Sequence, residues 1–455
     1  HMRRTQSRES MSQRLSRVRE AAKQRKKERF TALFHLLTAE ALENAFLSLS
    51  RKAAAGVDGV RWKDYAENLK VNIADLHRRL HQGSYRAQPG RRHYIPKADG
   101  KQRPLGIASL EDKIVQYALV KILNAVYEND FMGFSYGFRP GRSQHNALDA
   151  LATGLVRTNV NWVLDADISQ FFDKVSHEWL IRFIEHRIGD QRVIRLIRKW
   201  LTAGTSEEGE WRASEEGTPQ GAVISPLLAN IYLHYVFDLW AHQWRRRHAT
   251  GNVVMVRYAD DIVIGFDKRI DAQCFRIAMQ RRLKEFGLTV HPKKTRLMEF
   301  GRFAAENRAS RGKGKPETFN FLGFTHISGK DRSGRFMLIR KTRRDRMTAT
   351  LKAIKDGLRK RWHYSIPEQG KWLRRVVQGY LNYHSVPGNY PMMRKFRIYV
   401  TDLWRRALRR RSQQDDTTWT KANRLAAVWL PKVRVLHPWP VERFTARHPR
   451  QEPGA

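Results

Sequence analysis

Hydrophobic and polar positions divide this chain into stretches of different period. Residues 3–29 are polar and basic, ending in Lys23, Arg25, Lys26, Lys27 and Arg29 with hardly an apolar stripe. That composition predicts either a solvated helix or a disordered arm that orders on a partner. From Phe30 the apolar positions fall at Phe30, Leu33, Phe34 and Leu37, then at Leu42, Phe46 and Leu49. These spacings predict an amphipathic helix pair and the start of a globular domain. Residues 94–107 read as a strand, an Asp99-Gly100 turn and a second strand, because Asp-Gly supplies the backbone a tight hairpin needs. Residues 111–127 read as a helix, 161–168 as a buried strand, and 253–266 as two apolar strands interrupted by Tyr258-Ala259-Asp260-Asp261. After Phe324 come long basic segments, with Arg340, Lys341, Arg343, Arg344 and Arg346, then Arg405 to Arg411 interleaved with Leu403, Trp404 and Leu408. They predict a mostly helical, basic domain. Residues 412–455 are Pro-containing and carry Trp419, Trp429 and Trp439.

Composition narrows the class. At 455 residues and ~150 residues per domain, two or three lobes are expected. Lys and Arg number 86 against 44 Asp and Glu, a formal charge of +42 that pairing within the protein cannot neutralise. A polyanion is the implied partner. No apolar run reaches the ~20 residues of a spanning helix, and no signal peptide is visible, so nucleic acid is favoured over a membrane and a cytoplasmic location is expected. With 13 Trp and 21 Phe the chain is richer in aromatics than a packaging protein. Its single cysteine, Cys274, excludes an internal disulfide and any cysteine-based zinc cluster. The opening His1-Met2 is read as a cloning remnant.

Acidic residues inside apolar strands demand an explanation. Asp165-Ala166-Asp167 ends the stretch Trp162-Val163-Leu164, and Asp260-Asp261 is flanked by Val254, Val256, Ile262 and Ile264. Clustered carboxylates repel one another and lose hydration unless a cation lies between their oxygens. With Asp167 from a neighbouring strand, three carboxylates can hold two divalent ions ~3.5 to 4 Å apart, the arrangement suited to in-line phosphoryl transfer. Magnesium fits best and manganese is a possible substitute, since both take oxygen ligands. A lone Asp is more often a turn cap or a surface ion pair; the ensemble is not.

Tyr258-Ala259-Asp260-Asp261 resembles the YxDD box of reverse transcriptases, and Asp167-Ile168 with Phe171-Phe172 resembles their first catalytic motif. Gly217-Thr218-Pro219-Gln220-Gly221, followed by Ser225 to Ile231, is similar to the segment beneath the templating base and the incoming nucleotide. This resemblance implies an α+β right-hand polymerase with fingers, an RRM-like palm and a helical thumb. It implies catalysis by Asp167, Asp260 and Asp261, metal at these residues and Ile168, and nucleotide binding by Lys97, Arg103, Phe171, Phe172, Gln220, Tyr258 and Lys294. Lys97 and Arg103 match triphosphate-gripping cations. One of Phe171 and Phe172 crowds the sugar 2′-hydroxyl, and Lys294 is the candidate general acid. Phe321-Leu322-Gly323-Phe324 is similar to the motif where the palm meets the primer strand.

Gly56-Val57-Asp58-Gly59, Tyr136 to Ser143 and the GTPQG box point to the bacterial group II intron branch, whose thumb, domain X, binds intron RNA. Residues 378–384, Arg405, Arg406, Arg409, Arg410 and Arg411 with Ser412-Gln413, and Leu436 to Pro440 resemble that region. The expected division is a basic arm over 1–29, fingers over 30–110, palm over 111–330, thumb over 331–411, and a short DNA-binding region over 412–455. With one cysteine, the HNH endonuclease of many such enzymes is expected to be absent. The implied partners are intron RNA, an RNA template with a DNA primer, target DNA and dNTPs, and the implied location is cytoplasmic, near the nucleoid. Rival readings are a domesticated reverse transcriptase in phage defence, a CRISPR system or DNA repair, and an RNA-binding maturase that only assists splicing.

Overall fold

Eleven strands lie among the residues described by the computed structural model, namely 10–96, 102–207, 209–411 and 417–447. In chain order, β1 (Gly90–Pro96) and β2 (Gln102–Ile107) form the expected hairpin. The strand expected over 161–168 is β3 (Trp162–Asp167). An unforeseen hairpin, β4 (Thr205–Glu207) and β5 (Glu210–Arg212), extends the first sheet to the order β2-β1-β4-β5. The apolar strands around the acidic corner are β6 (Val253–Tyr258) and β7 (Asp261–Phe266). With β8 (Arg296–Glu299) they form the central sheet, ordered β6-β7-β3-β8, all pairs antiparallel. A third sheet holds β9 (Phe319–Phe321), β10 (Phe324–Lys330) and β11 (Phe336–Thr342).

The near-continuous apolar run of β6 follows from helices covering both faces of the central sheet. On one face Leu164, Ala166, Met255, Ile262 and Ile264 join a core with the helices Leu110–Tyr127, Ser225–Leu233 and Arg269–Glu285. On the other, Val163, Val254, Val256 and Val263 pack with Ala147, Leu148 and Leu151 of the helix Gln144–Arg157. A strand buried on both sides has no solvent position to fill with polar residues. Arg257 breaks this run. It is fully buried, its guanidinium pairs with Asp238 at 2.5 and 2.7 Å, and it donates to Asn230, Ser135 and the Ala259 carbonyl.

The N-terminal stretch is a helix, Met11–Gln24, opened by a Ser10/Gln13 capping box. It is docked rather than solvated: Met11, Leu15 and Val18 lie partly buried and Ala22 fully, a thin stripe spaced for one helix face. Arg187, itself buried and paired with Asp130, fastens the end of this segment by donating to the Arg25 and Glu28 carbonyls. Of the expected helix pair, only the second forms a full helix, Ala39–Ser48. The first is a short 3₁₀ turn, Phe34–Leu36, because the Asp190 carboxylate takes the Leu33 and Phe34 amides and Thr38 then caps a new helix.

After β11, the helices Arg344–Lys360, Ile366–His384 and Tyr390–Arg409 pack with the helix Trp419–Trp429 around Leu373, Val377, Phe396, Val400, Trp404 and Ala426. The buried Trp404 indole donates to Gln369 Oε1 at 2.9 Å. The last helix, Pro440–Arg447, returns to the helix Gln144–Arg157, where Arg443 pairs with the buried Asp149 and Phe444 enters the core. Among the described residues no helix is long and apolar enough to cross a membrane.

Removing one partner of a buried ion pair strands the other charge. Asp238→Ala is therefore expected to lower unfolding free energy by about 3–5 kcal/mol in urea titration. A change below about 1 kcal/mol, the size of a surface pair, would contradict it.

Candidate active site

Register builds the site. Asp167, the last residue of β3, pairs with Asp261, the first of β7, and Asp261 pairs in turn with Tyr258, the last of β6. Asp260 occupies the two-residue corner between β6 and β7, beside Ala259, whose φ of 56° is left-handed. Such tight hairpins require a positive φ, which costs a residue bearing a Cβ roughly 1–2 kcal/mol. Three carboxylates from distant parts of the chain thus share one end of the central sheet.

Their electrostatics follow from that crowding. Asp261 has its pKa raised to about 7, first by partial loss of hydration, then by Asp260, Asp167 and Asp165. Asp260 is raised by desolvation and by Asp167, while Arg103 and Lys294 oppose the shift. Asp165 rises to about 6 through desolvation, with Arg296 opposing and Asp167 adding to it. Lys294 Nζ donates to Asp167 Oδ2 at 2.9 Å, so an ammonium already balances part of the negative charge. Among the described residues no group of three His, Cys, Asp or Glu side chains is set close enough together to hold a metal ion by itself. The donor set nevertheless fits a hard divalent cation, being carboxylate oxygens only and mutually repelling.

Residues 95–326 match the family model described as reverse transcriptase (RNA-dependent DNA polymerase). The chain belongs to the reverse transcriptase family. Protein YkfC of Escherichia coli strain K12 is 43% identical over 206 residues, 44% of this chain and 54% of that protein. The group II intron-encoded protein LtrA of Lactococcus lactis subsp. cremoris is 37% identical over 223 residues, 48% of this chain and 37% of LtrA. A putative COX1/OXI3 intron 1 protein of Saccharomyces cerevisiae is 26% identical over 393 residues, 71% of this chain and 46% of that protein. The matched regions span about half or less of these relatives. The α+β architecture is that of a reverse transcriptase, and enzymes of this family generally use divalent metal ions.

Around the carboxylates of this reverse transcriptase, Arg103 lies on β2 opposite Ile95, and its charge is felt at Asp260. Lys97 lies outside the described residues, as do Asp99, Gly100, Ser412 and Gln413. Ile168 is buried and bridges to Val290. Phe171 is buried beside Tyr232, whereas Phe172 is half-buried and meets exposed Phe138 at 6.5 Å between ring centroids. Tyr258 stands 6.3 Å from the same Phe138 ring. Gln220 donates to Asp173 Oδ1 at 2.6 Å, and its carbonyl accepts from the Gly106 amide of β2, joining the GTPQG loop to the first hairpin. Gly323, at φ 80°, faces Tyr383, whose hydroxyl donates to the Leu322 carbonyl at 2.8 Å.

The arginine cluster divides. Arg405 pairs with Asp402 and lies over the Trp419 ring, and Arg411 donates to the Tyr364 carbonyl. Arg406 also reaches Asp402 but is exposed, as are Arg409 and Arg410. Sequence reasoning missed the platform under the corner, Arg257 with Asp238, Asn230 and Ser135. Its one signal was an arginine inside an apolar strand.

A carboxyl whose pKa lies near 7 holds a proton below that pH and competes with a bound cation. Manganese affinity, followed by electron paramagnetic resonance, is expected to fall as pH drops from 8 to 6 and to be lost in Asp261→Asn. Affinity constant over that window would contradict the shared site.

Proposed function

We propose that this chain is an RNA-directed DNA polymerase of the group II intron type, which copies intron RNA into cDNA and binds that RNA to assist splicing and mobility. The observation that carries the reading is the row Asp167, Asp261, Tyr258 set by strand register, with Asp260 at the corner. Asp167, Asp260, Asp261 and the Ile168 backbone would hold two magnesium ions, with manganese as a substitute. When bound, the ions supply charge neutralisation for the attacking 3′-hydroxyl and the departing pyrophosphate. Arg103, with Lys97, grips the triphosphate; Phe172 crowds the sugar, since Phe171 is committed to the core. Gln220 and Tyr258 line the nucleotide, and Lys294, which pairs with Asp167, protonates the leaving group. Gly323 lies along the primer strand.

In this reading residues 30–110 are fingers, 111–330 palm and 331–411 thumb. Residues 1–29 are the basic arm, whose helix Met11–Gln24 is docked, and 412–455 contribute to binding target DNA. The names of LtrA and the yeast intron protein support the intron branch, as does the exposed basic row Arg406, Arg409 and Arg410. Such an enzyme works in the bacterial cytoplasm against the nucleoid.

Primer extension on an RNA template with magnesium is the direct test. Asp260→Ala or Asp167→Ala is expected to lower extension by at least about a hundredfold while RNA affinity stays nearly intact. Extension persisting in either variant would refute the assignment of these aspartates to the metal site. Charge reversal at Arg409 and Arg410 is expected to weaken intron RNA binding and flatten its salt dependence, by roughly 0.7–0.9 in log–log slope per lost phosphate contact. An unchanged slope would mean that this surface faces away from RNA.

A further inference from the structure

The motif Tyr136 to Ser143 is left without a role by the assignments above, and its third residue is unusual. Phe138 sits at φ 58°, a left-handed conformation that a bulky side chain adopts only when its surroundings impose it. The residue is 49% exposed, so burial does not hold it there. The rest of the loop does.

Gly137 has no room for a side chain, since a Cβ there would lie 2.3 Å from the Ala259 amide nitrogen of the acidic corner. The Gly137 carbonyl accepts from Asn230 Nδ2 at 2.6 Å, and the Tyr136 amide donates to the Arg257 carbonyl at 2.8 Å. On the far side Arg139 is buried, pairs with Glu128 at 3.0 Å and donates to the Met132 and Ser135 carbonyls. Arg142 closes the loop onto the Gly133 and Ser135 carbonyls. The backbone is therefore fixed on both sides of a single exposed ring.

That ring is aimed at the site. Phe172, five residues beyond Asp167, meets it edge to face at 6.5 Å, and Tyr258, two residues before Asp260, lies 6.3 Å away. Scattered exposed apolar residues are ordinary. An aromatic one locked in a disfavoured conformation beside three carboxylates is where strain points to function.

We propose that Phe138 is the platform on which the last base pair of the template–primer duplex rests, so that the primer end is steadied over Asp167, Asp260 and Asp261. The proposal rests on the polymerase reading. Its physical basis is that an aromatic face offers base pairs of any sequence the same apolar contact, which a copying enzyme needs. Asn230 and Arg257 act through it as positioning residues, because they hold the loop to the catalytic corner.

The test compares Phe138→Gly and Phe138→Tyr with the unaltered chain, using thermal unfolding, single-turnover incorporation, and the fluorescence of 2-aminopurine at the primer terminus. Glycine accepts the left-handed backbone freely, so Phe138→Gly is expected to unfold at the same or a higher temperature. In the same variant incorporation falls by about 5- to 150-fold, the range for losing an aromatic platform, and the terminal 2-aminopurine brightens. Phe138→Tyr restores most of both. Unchanged incorporation and fluorescence in Phe138→Gly would overturn the proposal, and so would a lowered unfolding temperature, which would make the ring part of the core. Failure of the unaltered chain to extend a primer would instead defeat the polymerase reading, and the fluorescence readout would still decide whether Phe138 meets the duplex end.

Discussion

Like charges held together against their repulsion are the constraint on which this protein turns. Asp167, Asp260 and Asp261 arrive from two separate parts of the chain, and only the antiparallel register of β3 with β7, and of β7 with β6, makes them neighbours. A slip of one residue in either pairing would turn the side chains to the opposite faces. Both faces of the sheet are buried, so apolar pattern alone does not fix the register of β6; its buried Arg257, which a slip would pull from Asp238, does. The stability of two cores thus holds an acidic cluster that has no stability of its own to offer.

The buried ion pair beneath the corner serves the same end. Arg257 and Asp238 are both fully buried, and a pair of that kind adds little net stability compared with apolar packing. What it adds is direction. One guanidinium bonds the Ala259 carbonyl of the corner, Asn230 and Ser135, so the acidic corner and the loop bearing Phe138 are referred to one rigid group. Four residues other than glycine take left-handed backbone among those described: Phe138, Gln170, Ala259 and Leu322. Ala259 is in the acidic corner, Gln170 follows Asp167, Phe138 lies over the site, and Leu322 precedes the Gly323 turn against Tyr383. Conformational strain is concentrated around the acidic corner and the Gly323 turn.

Much of this was legible in the sequence where a local pattern had a single physical cause. The run 253–266 read as two apolar strands, and the cluster of acids interrupting it asked for a partner cation. The Asp-Gly dipeptide at 99–100, between two apolar runs, announced β1 and β2. The short strands β4 and β5 were illegible because three residues each, with exposed Trp211 and no alternation to speak of, carry no period. The N-terminal helix was ambiguous because its docking depends on Arg187, more than 150 residues away in sequence. The 3₁₀ turn at Phe34–Leu36 was misread as a helix for the same reason: Asp190, distant in sequence, takes the amides that would have continued it. Local periodicity reports local causes, and these elements have remote ones.

The return of the chain to its own middle has a bearing on synthesis. Asp149, on the helix that backs the central sheet, is buried, and its cations are Arg340 and Arg443. While the ribosome is still short of these positions, the nascent protein carries an uncompensated carboxylate behind its catalytic strands. Full charge compensation of the helix Gln144–Arg157 is thus coupled to a guanidinium 294 residues further along the chain.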